Sequence, residues 1–219
     1  MKESAPRALL LMGQEGPQQY HNQPEHWSCL ASILGAADLG ARVMTDDLTY
    51  LCPESLAQFD VVLNFSTRRV ASPKQIAALV DAVYDGAGYV GLHAATGTFL
   101  DSPAYHALIG SWFARHPPIR SFTLEPVAPD HPVVAGVGAF AIEDELYELR
   151  DIVADIDVLA QAEGHPMVYV RRHGRGRICY IAPGHDHRSL GRPEYARLVH
   201  QAMAWAARRS GPAGERAMA

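Results

Sequence analysis

Eleven histidines in 219 residues are the most chemically pointed feature of this sequence, and several stand where apolar runs end. His93 occupies the middle of Gly91-Leu92-His93-Ala94-Ala95, a small-x-residue-x-small pattern. In α/β hydrolytic enzymes that spacing makes a sharp strand-to-helix turn that lifts one side chain clear of the sheet. The flanking residues must be small because the turn is strained and passes close to its neighbours. A hydrolase would carry Ser or Cys at the centre. An imidazole there points to a general base or a metal ligand, not to an acyl-enzyme. The competing reading is a hydrogen-bonded structural histidine, with Gly91 and Ala95 serving only close packing.

Three further groups stand at comparable places. His21 follows the first apolar run, His185 follows the last long one in Pro183-Gly184-His185-Asp186-His187, and Glu145 lies in an acidic stretch. His21, His93 and His185 suit a divalent zinc, manganese or iron ion with a position left open for water. Without a metal, His93, His185 and Glu145 would serve as general acid and base groups. No His-x-x-x-His spacing occurs among them, so local spacing does not decide between the two. Glu143, Asp144 and Glu148 compete with Glu145, since an acidic run is usually a solvated face. Polar groups at the same chain positions, Glu15, Asn64, Thr67, His116 and Asp186, are candidate substrate contacts. His116 is expected at a helix C-terminus, where the dipole alone attracts Arg and His.

The elements that must position these groups alternate. Arg7 to Gly13, Ala41 to Thr45, Asp60 to Ser66 and Gly88 to Leu92 are apolar runs with polar ends, as buried parallel strands require. Between them, Trp27, Leu30, Leu34 and Ala37 recur at helical spacing and Gly40 stops that helix. Ser72-Pro73 opens another, with a hydroxyl cap, proline at the first helical position, and Ile76, Leu79, Val80 and Val83 on one face. Strands alternating with helices imply a parallel sheet, whose ligands bind at the carboxyl ends of the strands. That rule gathers the loop with His21, the Asn64 to Arg68 turn and His93 on one edge.

Beyond His93 the pattern predicts a helix through Tyr105, Leu108, Ile109 and Trp112-Phe113, ending near Arg115-His116-Pro117-Pro118. Arg120 to Val127 alternates like an antiparallel strand, and Asp130-His131-Pro132 is a turn. Phe140 to Tyr147 mixes apolar and acidic residues without a clean period. Three more strands follow, the last two joined by a His173-Gly174-Arg175-Gly176 hairpin. A closing helix runs from Pro193 past Trp205. The expected organisation is one α/β domain over 1–209 and a flexible tail over 210–219.

Composition sets limits. A formal charge of −5 offers no basic stripe for nucleic acid. No apolar run reaches membrane-spanning length, and Met1 to Arg7 lacks the apolar core of a signal peptide. Cys29, Cys52 and Cys179 are odd in number and widely spaced, as expected of reduced thiols in the cytoplasm. No G-x-G-x-x-G follows the first strand and no Walker lysine is present, so no nucleotide cofactor is expected. Trp112-Phe113 and Trp205 leave room for a homo-oligomer face.

Together the motifs resemble the ThuA-like family, named for a trehalose-utilisation protein. The resemblance is carried by Gly88 to Thr96, Tyr105 to Gly110 with Arg115-His116-Pro117, Asp130-His131-Pro132-Val133, Asp144-Glu145-Leu146-Tyr147, Met167 to Val170 with Gly174 to Arg177, and Pro183-Gly184-His185-Asp186. It implies a flavodoxin-like fold of the class I glutamine amidotransferase type: a mostly parallel central sheet flanked by helices, with an antiparallel extension in the C-terminal half. It also implies a pocket where His21, His93, Glu145 and His185 converge. His93 would stand in place of the amidotransferase cysteine, so glutaminase activity is not expected. Two departures mark a shorter, general branch of the family: the first loop has no adjacent His-Glu pair, and Asp186 replaces a Glu.

The expected function is an enzyme acting on a carbohydrate or keto-sugar derivative, by isomerisation or by elimination and hydrolysis beside a carbonyl. The sugar comes from the resemblance; the residues alone support a polar pocket with several imidazoles. The rival is a non-catalytic module that binds a sugar or a protein on the same fold.

Overall fold

The computed structural model describes residues 5–207, so the tail expected over 210–219 lies outside the described residues. In chain order the elements are β1 (Ala8–Leu11), α1 (Gln23–Ala36), β2 (Arg42–Thr45), α2 (Pro53–Leu56), β3 (Val61–Asn64), α3 (Pro73–Tyr84), β4 (Gly88–Leu92), α4 (Pro103–Ile109), β5 (Trp112–Arg115), β6 (Arg120–Pro126), β7 (Phe140–Asp144), β8 (Glu148–Arg150), β9 (Asp157–Ala162), β10 (His165–His173), β11 (Gly176–Ile181), α5 (His187–Leu190) and α6 (Pro193–Ala206).

Among the described residues these strands build a nine-stranded sheet in the order β2-β1-β3-β4-β11-β10-β9-β6-β7, with β5 and β8 paired separately. Pairing is parallel from β2 through β1, β3 and β4 to β11. It turns antiparallel through β10, β9, β6 and β7. The result is a mixed α/β fold with a large sheet, parallel in its first half and flanked by helices. Strands β1, β3 and β4 are buried along their whole length, which is why they read as continuous apolar runs. Helix α3 starts as its sequence dictates. Gln75 N–H donates to Ser72 Oγ and Ser72 N–H to Gln75 Oε1, a reciprocal cap that contributes about 1 kcal/mol.

Three expectations are corrected. The helix expected to run on to Arg115 stops at Ile109, because Gly110 adopts a left-handed φ of 93° and ends it. Trp112–Arg115 is then free to pair with Glu148–Arg150 as a strand. His116 therefore follows a strand, and a helix dipole does not account for it. In α1 Leu30 and Leu34 are buried as read from sequence, but His26 and Ile33 complete the buried stripe, while Trp27 and Ala37 are only partly buried. Finally, Phe140 to Asp144 is a regular half-buried strand. Its period was hidden because Asp144 takes an inward position that apolar residues usually fill.

Candidate functional site

Strands β1, β3, β4 and β11 are consecutive neighbours in the sheet, and the loops after them carry His21, Thr67, His93 and His185. Topology alone thus delivers four polar residues to one edge. His93 is fully buried and has a φ of 42°, a left-handed conformation that costs a non-glycine residue about 1 kcal/mol or more. The strain is held in place from both sides. Tyr180 donates its hydroxyl to the His93 carbonyl at 2.8 Å, and a Cβ on Gly91 would come within 3.2 Å of Ala95 Cβ. A single 3-10 turn, His93–Gly97, follows in place of the start of a long helix.

Each of the three imidazoles has its Nδ1 edge occupied. His93 Nδ1–H donates to the Ala182 carbonyl at 2.8 Å, which leaves Nε2 with the lone pair when the ring is neutral. His21 Nδ1 meets Thr67 Oγ1 at 2.9 Å. His185 Nδ1 lies 3.2 Å from Glu145 Oε1, an ion pair whose angle is poor for a hydrogen bond. Ring centroids stand 5.1 Å apart for His21 and His93, 5.2 Å for His21 and His185, and 5.6 Å for His93 and His185. One donor nitrogen from each ring falls within 4.8 Å of the other two. Metal-bound histidines usually fix the second nitrogen on a carbonyl, hydroxyl or carboxylate in this way. The donor set fits a divalent metal.

Glu145 completes the cluster. Its Oε2 is 3.4 Å from His93 Nε2, and its Oε1 is 3.2 Å from both His116 Nε2 and His185 Nδ1. Burial favours its neutral form, but the facing His185 and His93 outweigh that and hold the carboxyl well below the usual range. His185 is shifted the other way: burial lowers its proton affinity, and Glu145, with Asp144 and Asp186, more than restores it. Burial, reinforced by His93, His26 and His185, pushes His21 down to about 2. It is neutral at any ordinary pH, as a ligand must be.

Of the residues read from sequence, His21, His93, His185, Glu145, Thr67 and His116 are brought together. Three others are not, and each has a local reason. Asn64 is fully buried beneath the site, donating to the Tyr89 and Tyr105 hydroxyls and accepting from Ser66. Glu15 is taken by Arg69 Nε at 2.7 Å and by the Val70 N–H. Asp186 caps α5 and pairs with Arg188.

Other residues contribute that sequence reasoning passed over. Tyr147 Oη bonds His93 Nε2 at 3.0 Å, with the two rings 4.4 Å apart. Burial raises its pKa well above the ordinary value, so it stays a hydroxyl. Asp144 accepts the N–H groups of Glu145, Gly184 and His185, fastening the carboxylate loop to the His185 loop. His26 donates from Nε2 to the His185 carbonyl at 2.7 Å. Its place four residues before Leu30, on the same face of α1, is the signal that would have found it. A separate apolar cleft of about 380 Å³, between the start of α3 and residues 99–104, contains none of these groups.

Fold and site together define a mixed α/β domain with a histidine-rich cluster at the strand ends. The chain belongs to the ThuA family (trehalose utilisation), whose model matches residues 7–206. A ThuA-like protein from Parabacteroides merdae ATCC 43184 has a similar structure, with a TM-score of 0.81 at 19% identity over 93% of this chain and 90% of that one. One from Bacteroides uniformis ATCC 8492 gives 0.77 at 19% identity, covering 94% of each chain. A cytoplasmic protein of Salmonella typhimurium gives 0.62 at 15% identity, over 92% of this chain and 99% of that one. At these identities the likeness concerns the fold. No curated protein matches the sequence at a significant level. Among the described residues no helix is long and apolar enough to cross a membrane.

Proposed function

We propose that this ThuA-family protein is a cytoplasmic enzyme of carbohydrate metabolism acting on a keto-sugar or trehalose-type derivative. The reaction is isomerisation, or elimination and hydrolysis, at a carbon beside a carbonyl. What carries the reading is the convergence of His21, His93 and His185 around one point, with Glu145 alongside. A zinc, manganese or iron ion held there would polarise the substrate carbonyl. Glu145, ionised and within 3.2 Å of His185, takes the proton from the adjacent carbon. With the ion in place His185 would be its ligand, and Glu145 would return the proton itself; without an ion, His185, with its raised proton affinity, would hold that proton and return it. His116, a third exposed, lines the mouth. The finer fold assignment, flavodoxin-like and of the class I glutamine amidotransferase type, is supported by the parallel order β2-β1-β3-β4-β11. On that fold His93 replaces a nucleophilic cysteine, so glutamine hydrolysis is not part of the proposal.

The test is elemental analysis of protein purified without a histidine tag, beside His93→Ala and His185→Ala. Near-stoichiometric metal in the parent and its loss in both folded variants is expected, with chelator-sensitive turnover of keto-sugars. Turnover that ignores chelators would replace the metal with acid/base chemistry by the same residues. No metal and no turnover, with sugar affinity intact in His93→Ala, would make the protein a binding module.

A further inference from the structure

Two sequence-adjacent pairs tie together the loops that follow β1 and β3. Inside, His21 meets Thr67. One position away in each loop, Tyr20 and Arg68 meet on the outside, with the guanidinium carbon 5.3 Å from the ring centroid. Tyr20 is 38% exposed and Arg68 is exposed. Among the described residues no carboxylate pairs with Arg68; the nearby Glu15 is already held by Arg69 and Val70. The backbone of Arg68 is left-handed, with a φ of 50°, and its N–H donates to the Gly97 carbonyl at 3.0 Å. The turn that begins at His93 therefore also fixes Arg68. Left-handed residues other than Gly, Asn or Asp are strained, and such strain gathers at ligand-binding positions.

We propose that Arg68, supported by Tyr20, is a subsite for an oxyanion carried by the substrate, so that the sugar is a carboxylate or a phosphate ester. The proposal rests on the carbohydrate reading above and adds the charge of the substrate. An exposed, uncompensated planar fork on the residue next to Thr67 matches either oxyanion with two parallel N–H bonds. Tyr20 keeps the guanidinium plane oriented while leaving its edge donors for the ligand. His21, the residue after Tyr20, stands with its ring 5.1 Å from His93 and 5.2 Å from His185, so the subsite and the imidazole cluster share one loop.

The experiment uses Arg68→Asn, because asparagine enters the left-handed region readily and so removes the charge without adding strain. Parent and variant are titrated calorimetrically with glucose, glucuronate and glucose 6-phosphate, at low and at physiological salt. The parent should bind at least one of the two acids about tenfold or more tightly than glucose, by the strength of a charge-assisted bond. Salt should erode that preference. Arg68→Asn should bind all three alike, with glucose affinity unchanged; which acid wins in the parent identifies the anion. If Arg68→Asn does not fold, Arg68→Gln takes its place in the same titration. Equal binding of glucose and both acids by the parent, or a preference that survives the substitution, overturns the subsite and leaves the carbohydrate reading standing. No binding of any of the three by the parent overturns the subsite, while the carbohydrate reading is judged separately by the keto-sugar turnover assay above.

Discussion

His26 Nε2 lies 2.7 Å from the carbonyl oxygen of His185, a contact that joins residues 159 positions apart. A carbonyl only accepts, so Nε2 carries the hydrogen. Nδ1 is buried and has no hydrogen-bond partner. The ring thus spends its one donor on aiming the loop that presents His185. His26→Phe keeps the volume and removes the donor, leaving a buried carbonyl unpaired at a cost of about 1–3 kcal/mol. Loss of this support should also weaken zinc binding about 10–100-fold. Denaturant unfolding and a zinc titration of the same sample measure both. Unchanged zinc affinity in the folded variant would mean that Asp144 alone positions His185.

Acid should destabilise the fold from about pH 6.5 downward. Unfolded His21 takes a proton near the ordinary value of 6.5, whereas in the folded chain burial and the facing His93, His26 and His185 push it down to about 2. Between those values the unfolded state binds more protons, so stability falls as pH falls, by at most about 1.4 kcal/mol per pH unit. His26, also lowered by burial, acts in the same direction. His185 opposes them: its raised affinity stabilises the fold below pH 6.5, and that share is lost as pH rises through the folded value. Glu145 adds stability above about pH 4.5 that is lost as pH falls further. Unfolding free energies at pH 7, 6 and 5 should decline, and His21→Gln should flatten the decline. A parent curve that stays level would contradict the neutral assignment of His21.

Gly184→Ala should damage the site without touching any imidazole. Gly184 has a φ of 140°, and an added Cβ would lie 2.8 Å from the Tyr195 hydroxyl and 3.1 Å from His93 Cβ. A left-handed alanine with a clash on that scale costs about 1–3 kcal/mol or more. Thermal unfolding should shift down, and any bound metal should be lost in the folded fraction. Retention of full stability would require the Pro183–Asp186 loop to move freely, against its bonds to Asp144.

How much of this was legible in the sequence follows from the period of each signal. The parallel strands were, because burial on both faces turns them into uninterrupted apolar runs. Gly91-Leu92-His93-Ala94-Ala95 was, because the small residues demanded by close packing flank a single polar one. Glu145 was legible only as one acid among several, since nothing local distinguishes a carboxylate that faces three imidazoles from one that faces water. Trp112–Arg115 was misread because a helical period survives across Gly110, and only the left-handed backbone there ends it. His26 and Tyr147 were hidden for a different reason. Their partners are 159 and 54 positions away, and no spacing rule spans such distances.

The three imidazoles are supplied by loops after β1, β4 and β11, with the carboxylate arriving between the last two. During synthesis His21 and His93 leave the ribosome well before His185 exists, and β11 must still insert beside β4 to bring it in. Pocket assembly is therefore a late event in the life of the chain. Early fragments present at most two of the three rings. On the proposed function, a bound ion would therefore report a completely folded site.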